Sequence, residues 1–258
     1  MPTVIHTYLT RFKFQPMPFG FADWLRGTLV LYERSRKHKY TLLIDYSHPL
    51  LQLFKDPKTY GDSYVNEIIL PIYFPTQDLM IEKLFSTGRN FTISTHILPE
   101  GFYTTPLSTE VKTFLKNFLV FNDSINEKIA NTRNRINDDF VTVHLRSGDN
   151  FLVNGVQHPS YDKIYNRAKN VISQQTKPVL VIGDNKHMIN ELSKELTFFQ
   201  TDSNPSHSGV CKNNLEGVLV DFGIMPFSKK IYCVTEIGSG FSDLCARIYD
   251  IPFTFENV

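Results

Sequence analysis

The apolar run at residues 178–182 (PVLVI) constrains the fold of this chain more than any other stretch. It is too short to cross a membrane, and its lack of alternation suits a strand buried on both faces of a parallel sheet. The sequence on either side agrees. Residues 161–174 carry Tyr161, Ile164, Tyr165, Ala168, Val171 and Ile172 at helical spacing, and residues 186–196 again read as a helix. Residues 140–145 and 230–235 (KIYCVT) read as strands, and 198–201 as a short one. Residues 215–225 (LEGVLVDFGIM) and 242–249 (SDLCARIY) read as helices, the last opened by a Ser N-cap with Asp243 in its first turn. Strand and helix alternate from residue 140 to 249, the pattern of a doubly wound parallel sheet.

The first half is less regular but also reads as α/β. A strand at 4–9 leads through a glycine turn to a helix at 23–37, followed by a strand at 40–45. Short strands such as 90–94 then mix with helices such as 109–121 and 123–131. The polar run NTRNRINDD at 131–139 suggests a boundary, giving an N-terminal Rossmann-like domain at 1–137 and a C-terminal one at 138–258. Two Rossmann-like domains facing a cleft is the expected architecture, with no internal repeat.

Composition narrows the function classes. With 41% hydrophobic and 21% charged residues, the 258-residue chain can bury a real core. A net charge of +1 gives no bulk field for nucleic acid or a membrane surface, so a basic site must be local. Three widely spaced cysteines and no C-x-x-C argue against a disulfide framework or zinc knuckle and for a reducing compartment. The start has no charged and apolar leader pattern, and no apolar stretch approaches ~18 residues, so a cytoplasmic protein without a transmembrane segment is expected.

Four stretches could carry chemistry. In VTVHLRSGDN (141–150), His144 and Arg146 share one strand face and Arg146 stands at the carboxyl end, where open α/β sheets bind ligands. An always-charged fork of donors beside Gly148 suits a diphosphate; the alternative is that Arg146 pairs with a nearby carboxylate such as Asp149 and that His144 is a satisfied sheet residue. In EIGSGFSDLCARIY (236–249), a glycine turn enters a helix carrying Ser239, Gly240, Phe241 and Ser242, a ready anion site or a plain capped helix. PFGFADWLRG (18–27) repeats the glycine-to-helix pattern in the other half, with Gly20, Phe21, Asp23 and Arg26, while Trp24 reads as core. Asp221 sits inside an apolar helix, where a carboxylate is expensive to bury unpaired; either it reaches the helix surface or it accepts from a ligand, and a guanine edge would supply two donors. No P-loop, nucleophile elbow or metal-binding histidine spacing occurs.

Together these stretches resemble the fucosyltransferase superfamily of GT-B fold, the α1,2-, α1,6- and protein O-fucosyltransferase group. HLRSGD (144–149) is similar to its H-x-R-R-G-D motif, and 213–249 resembles its run of helix, strand and S-x-F-S turn into a helix. HPSYDKIY (158–165) looks like the His-Pro helix start of core-fucosylating members, and GFADWLRG (20–27) like the amino-terminal glycine-rich loop. The resemblance covers the C-terminal half nearly throughout and the N-terminal half only at that loop. It implies an inverting, metal-independent transfer of fucose from GDP-fucose to a glycan hydroxyl. His144 would lie against guanine and ribose, Arg146 on the β-phosphate, Asp221 on the guanine edge, and Ser239 and Ser242 with their helix on the diphosphate.

The chain departs from the pattern at two places. Ser147 stands where many members have a second arginine, which keeps GDP-mannose, a rhamnose donor or a UDP sugar open as alternatives. Asn154 stands where core-fucosylating relatives have a glutamate base; Asp149, then Asp23, then His158 are the substitutes. A catalytically silent nucleotide- or glycan-binding module is the competing class. The acceptor side falls to the N-terminal half, where Tyr73, Phe74, Phe102 and Tyr103 could stack on sugars or pack a core.

Overall fold

The computed structural model describes residues 1–8, 20–60, 67–69, 76–96, 102–137, 139–147, 159–202, 215–236 and 238–258. The chain forms two compact units, Met1–Val120 and Phe121–Val258. Both are α/β with parallel sheets, as the alternation predicts.

The N-terminal unit holds a four-stranded parallel sheet of β1 (Thr3–His6), β2 (Thr41–Ile44), β3 (Glu67–Ile69) and β4 (Phe91–Ser94), ordered β2-β1-β4-β3. Helix α1 (Phe21–His38) is buried on every side through its first half, continuously from Trp24 to Leu31, and turns exposed toward its charged last turns. It ends at Lys39, whose left-handed backbone (φ 57°) turns its N–H back to the Ser35 and Arg36 carbonyls. Helices α2 (Thr76–Ser86) and α3 (Thr109–Phe118) complete the unit; the Ser108 hydroxyl caps α3 by accepting from the Val111 N–H.

The C-terminal unit is built on β5 (Val141–Arg146), β6 (Val179–Gly183), β7 (Phe199–Gln200), β8 (Ile231–Thr235) and β9 (Phe253–Asn257). All pairings are parallel, in the order β7-β6-β5-β8-β9. Helices α4 (Asp123–Ile136), α5 (Tyr161–Ser173), α6 (Lys186–Glu195), α7 (Glu216–Ile224) and α8 (Gly240–Tyr249) flank it. One sheet face is apolar. Val141, Val143, Leu145, Val179, Val181 and Val234 pack there against Ile164, Ala168, Val171 and Ile172 of α5 and Met188, Ile189 and Leu192 of α6. The alternate residues of β5, Thr142 and His144, bond instead to Ser228 and to Ser242 of α8.

The boundary between units falls at Val120–Phe121, ahead of the polar run at 131–139 that suggested a division after residue 137. That run lies largely on the solvent face of α4. Ile125, Ile129, Thr132 and Ile136 form its buried stripe, and α4 packs against α7, so it belongs to the second sheet. The last helix also begins earlier than the expected Ser242. Ser239 is its N-cap, accepting from the Phe241 N–H at 3.3 Å, and Ser242 is drawn inside.

Candidate functional site

In a parallel sheet every strand ends on the same side, so the carboxyl ends of β5, β6, β7 and β8 gather side chains from distant parts of the sequence. Gly183 closes β6 next to Leu145. A Cβ at Gly183 would stand 2.5 Å from the Leu145 carbonyl oxygen, so only glycine lets the strand ends approach this closely. Asp184 follows and is 6% exposed. Its Oδ1 accepts from the Ser147 N–H at 2.9 Å, and its Oδ2 accepts from Nη1 of Arg146 at 2.5 Å. Burial opposes charge on Asp184, yet the Arg146 guanidinium and the Ser147 N–H hold its carboxyl below the ordinary carboxylate range. The Arg146 side chain is 24% exposed.

On the same strand, His144 is 4% exposed and turns to α8. Its Nδ1 lies 2.9 Å from the Ser242 hydroxyl and 3.7 Å from Sγ of Cys233, and its ring is 5.6 Å from that of Phe241. Burial lowers its pKa to about 4, with Asp184 raising and Arg146 lowering it further, so the imidazole is neutral at physiological pH. Burial also pushes the Cys233 thiol up to about 12, which makes it an inert packing group. The Ser242 hydroxyl is fully buried and the Ser239 hydroxyl caps its own helix. Ser242 thus bonds to His144, and the Ser239 hydroxyl is engaged by the start of its own helix.

Asp221 on α7 is 9% exposed and accepts from the Thr201 hydroxyl, just beyond β7, at 2.9 Å. Burial raises its pKa to about 7, against the Thr201 hydrogen bond. It is almost wholly shielded from solvent. A buried carboxylate poised near neutrality at a sheet's binding end marks a candidate site.

The N-terminal unit places its own sequence-selected residues at the start of α1. Asp23 accepts from the Gly20 N–H at 2.9 Å through Oδ2 and pairs with Arg26 through Oδ1. Both oxygens therefore serve the helix start, and Arg26 is 3% exposed. Phe21 packs against Trp24 and Phe54 in the core. Beyond the strand ends, Tyr8 lies 4.3 Å from His48 and 6.1 Å from His96, ring to ring. The Nδ1 of His48 accepts from the Leu50 N–H, which leaves the proton on Nε2, and burial lowers its pKa to about 4. That ring is a neutral donor, not a base.

Asp149, Gly148, Asn154, His158, Tyr73 and Phe74 lie outside the described residues. Among the described residues, no group of three or more His, Cys, Asp or Glu side chains gathers as a metal site would require, and no helix is long and apolar enough to cross a membrane. Sequence reasoning missed Asp184 and Thr201. Asp184 had a visible signal: the Gly-Asp pair ending PVLVI at 183–184 repeats the Gly-Asp pair at 148–149 after β5.

No family sequence model and no curated protein sequence matches the chain. Solved structures do. The fucosyltransferase NodZ from Bradyrhizobium superposes with a TM-score of 0.59 at 13% identity, covering 96% of this chain and 92% of that one. POFUT1 in complex with GDP-fucose gives 0.56 at 13% identity, covering 98% and 97%. Arabidopsis thaliana FUT1 in complex with GDP gives 0.59 at 10% identity, covering 98% of this chain and 70% of that one. The chain has the fucosyltransferase fold. At 10–14% identity, strand order and helix placement carry the likeness, and the fucosyltransferase fold follows here from a sequence that shares few side chains with those proteins.

Proposed function

We propose that this chain is a glycosyltransferase that binds a nucleotide sugar, GDP-fucose, in its C-terminal unit and transfers fucose with inversion to a glycan hydroxyl. The observation that carries the reading is the group His144, Arg146, Asp184 and Asp221 around the carboxyl ends of β5 to β7, on a fold shared with proteins crystallised with GDP or GDP-fucose. In this reading Arg146 contacts the β-phosphate. As the sugar departs with oxocarbenium character, negative charge grows on the leaving GDP, and a preset guanidinium stabilises it without a metal. A guanidinium has five donors, enough to serve Asp184 and a phosphate together. Asp221 in its ionised form accepts from guanine N1–H and N2–H₂, and neutral His144 with Phe241 lines the nucleoside side. The N-terminal unit takes the acceptor, with Asp149 as the base; Asp23 would first have to give up the helix start.

A nucleotide panel tests this. GDP is expected to raise the melting temperature, with UDP and dTDP weaker; the reverse order would remove the fucose donor from consideration. Arg146→Ala is expected to weaken GDP at least tenfold by calorimetry, since a charged hydrogen bond contributes about 1.5–3 kcal/mol. Unchanged affinity would end the phosphate role. The engaged oxygens of Asp23 favour one second reading, a binding module without transfer. It predicts GDP binding with no hydrolysis or transfer from any nucleotide sugar.

A further inference from the structure

We propose that Asp184 is a positioning residue for the donor diphosphate: it fixes the Arg146 guanidinium and the Ser147 backbone in one setting before the ligand arrives. This rests on the nucleotide-sugar reading above and assigns a residue that the motif resemblance did not include.

One carboxylate grips two successive residues of β5's end, Oδ2 on the Arg146 side chain and Oδ1 on the Ser147 N–H. The grip is buried on the carboxylate side, with Asp184 at 7% side-chain exposure against 24% for Arg146. The carboxylate itself is anchored by its backbone. The Asp184 N–H reaches the Leu145 carbonyl at 3.4 Å, and Gly183 permits that approach. Asn185 then caps α6 by accepting from the Met188 N–H at 3.1 Å. A long arginine loses substantial rotamer freedom when it meets a ligand. Held by Asp184, it has lost much of that freedom beforehand, which is how preorganisation strengthens binding.

The arrangement sets two effects of opposite sign against each other. Asp184 carries a negative charge close to where the diphosphate would lie, so its charge alone opposes the ligand. Its geometry favours the ligand. Asp184→Asn separates them, because the amide oxygen can keep the Ser147 contact while the ion pair with Arg146 is lost. If positioning dominates, Asp184→Asn weakens GDP at least tenfold. If charge dominates, removing it tightens GDP.

The experiment is a double-mutant cycle read by calorimetry with GDP, using Asp184→Asn, Arg146→Ala and both together. Positioning through Arg146 predicts that the double variant binds GDP within about twofold of Arg146→Ala alone. A purely structural role predicts that the two losses multiply, and that result, or tighter binding in Asp184→Asn, overturns the proposal. Melting temperatures are recorded alongside. Should Asp184→Asn not fold, Asp184→Glu keeps the charge but moves it by one methylene. At least tenfold weaker GDP is expected there, and unaltered affinity overturns the proposal. A wild-type chain that binds no nucleotide removes the functional reading and this one together; a wild type that binds GDP beside unaffected Asp184 variants removes only this one.

Discussion

Gly27→Ala is expected to destabilise the N-terminal unit by about 3 kcal/mol or more, at or above the upper end of overpacking substitutions. A Cβ at this position would lie 1.9 Å from the Thr95 carbonyl oxygen and 2.7 Å from its carbon. Those are backbone atoms, which cannot rotate away as a side chain can. Nor can α1 readily withdraw, because it is tied to the sheet on both sides of Gly27. Trp24 Nε1 donates to the Thr7 carbonyl at 3.1 Å. The Thr28 hydroxyl donates to the Trp24 carbonyl, which leaves it to accept from Nδ1 of buried His6 at 3.1 Å. The Nε2 of that ring then accepts from the Thr95 N–H at 3.4 Å, so β1, α1 and β4 meet in one network. Trp24 is the only tryptophan, so its fluorescence during urea unfolding reports on this unit. A midpoint unchanged from wild type would contradict the close approach of α1 and β4.

Asp221→Asn is expected to change how the C-terminal unit's stability depends on pH. Unfolded, this carboxyl releases its proton near 3.8; folded, it keeps it to about 7. Between those values the native state holds the extra proton, so stability from this group falls as pH rises. At about 1.36 kcal/mol per pKa unit, the full gap is on the order of 4 kcal/mol. His144 acts in the opposite sense. Its folded pKa is lowered from 6.5 to about 4, so between those values the unfolded state holds the extra proton and stability rises with pH. From about pH 4 to 6.5 the two nearly cancel in the wild type. Asp221→Asn removes one side and leaves stability rising by about 1.4 kcal/mol per pH unit over that range. The amide can still accept from Thr201. Hydrogen exchange at the amides of β5 and β6 measures this unit, and parallel pH profiles for variant and wild type would disprove the expectation. In the N-terminal unit His6, lowered to about 3 by burial first and then by His96, and His48, lowered to about 4, both act in the sense of His144, and the burial-raised Glu33 carboxyl opposes them only in part. Trp24 fluorescence should therefore show a net loss of stability as pH falls below 6.5.

The pH behaviour of Asp221 also bears on ligand binding. A guanine edge requires the ionised carboxylate, so GDP affinity should rise with pH through about 7, as stability from this group falls. Under the proposed guanine contact, fold stability and nucleotide binding would make opposite demands on this one side chain.

Much of this was legible from local pattern. The run at 178–182 became β6, buried throughout, and the periodic stretches around it became α5 and α6 within a residue or so of their expected ends. His144, Arg146, Asp221 and the Ser239–Ser242 turn could be placed around one end of a sheet because parallel strands must all finish on the same side. The polar residues at 131–139 were misleading because a half-exposed helix and a linker share composition, and only the stripe Ile125, Ile129, Thr132 and Ile136 separates them. Asp23 illustrates the converse. Its position at the third residue of α1 is visible in sequence, but its commitment to Gly20 and Arg26 depends on where that helix starts.

By itself, then, the sequence determined the α/β class, the order of strands and helices in the second half, and which side chains stand near strand ends. These follow from periodicity and from the chirality of the chain, which act over a few residues at a time. Only the tertiary structure decided that Asp184 holds Arg146, that Gly27 must be bare against Thr95, and that α4 belongs to the second sheet. Each depends on how closely two segments far apart in sequence approach. Packing of whole surfaces fixes that distance to fractions of an ångström, and no local pattern records it.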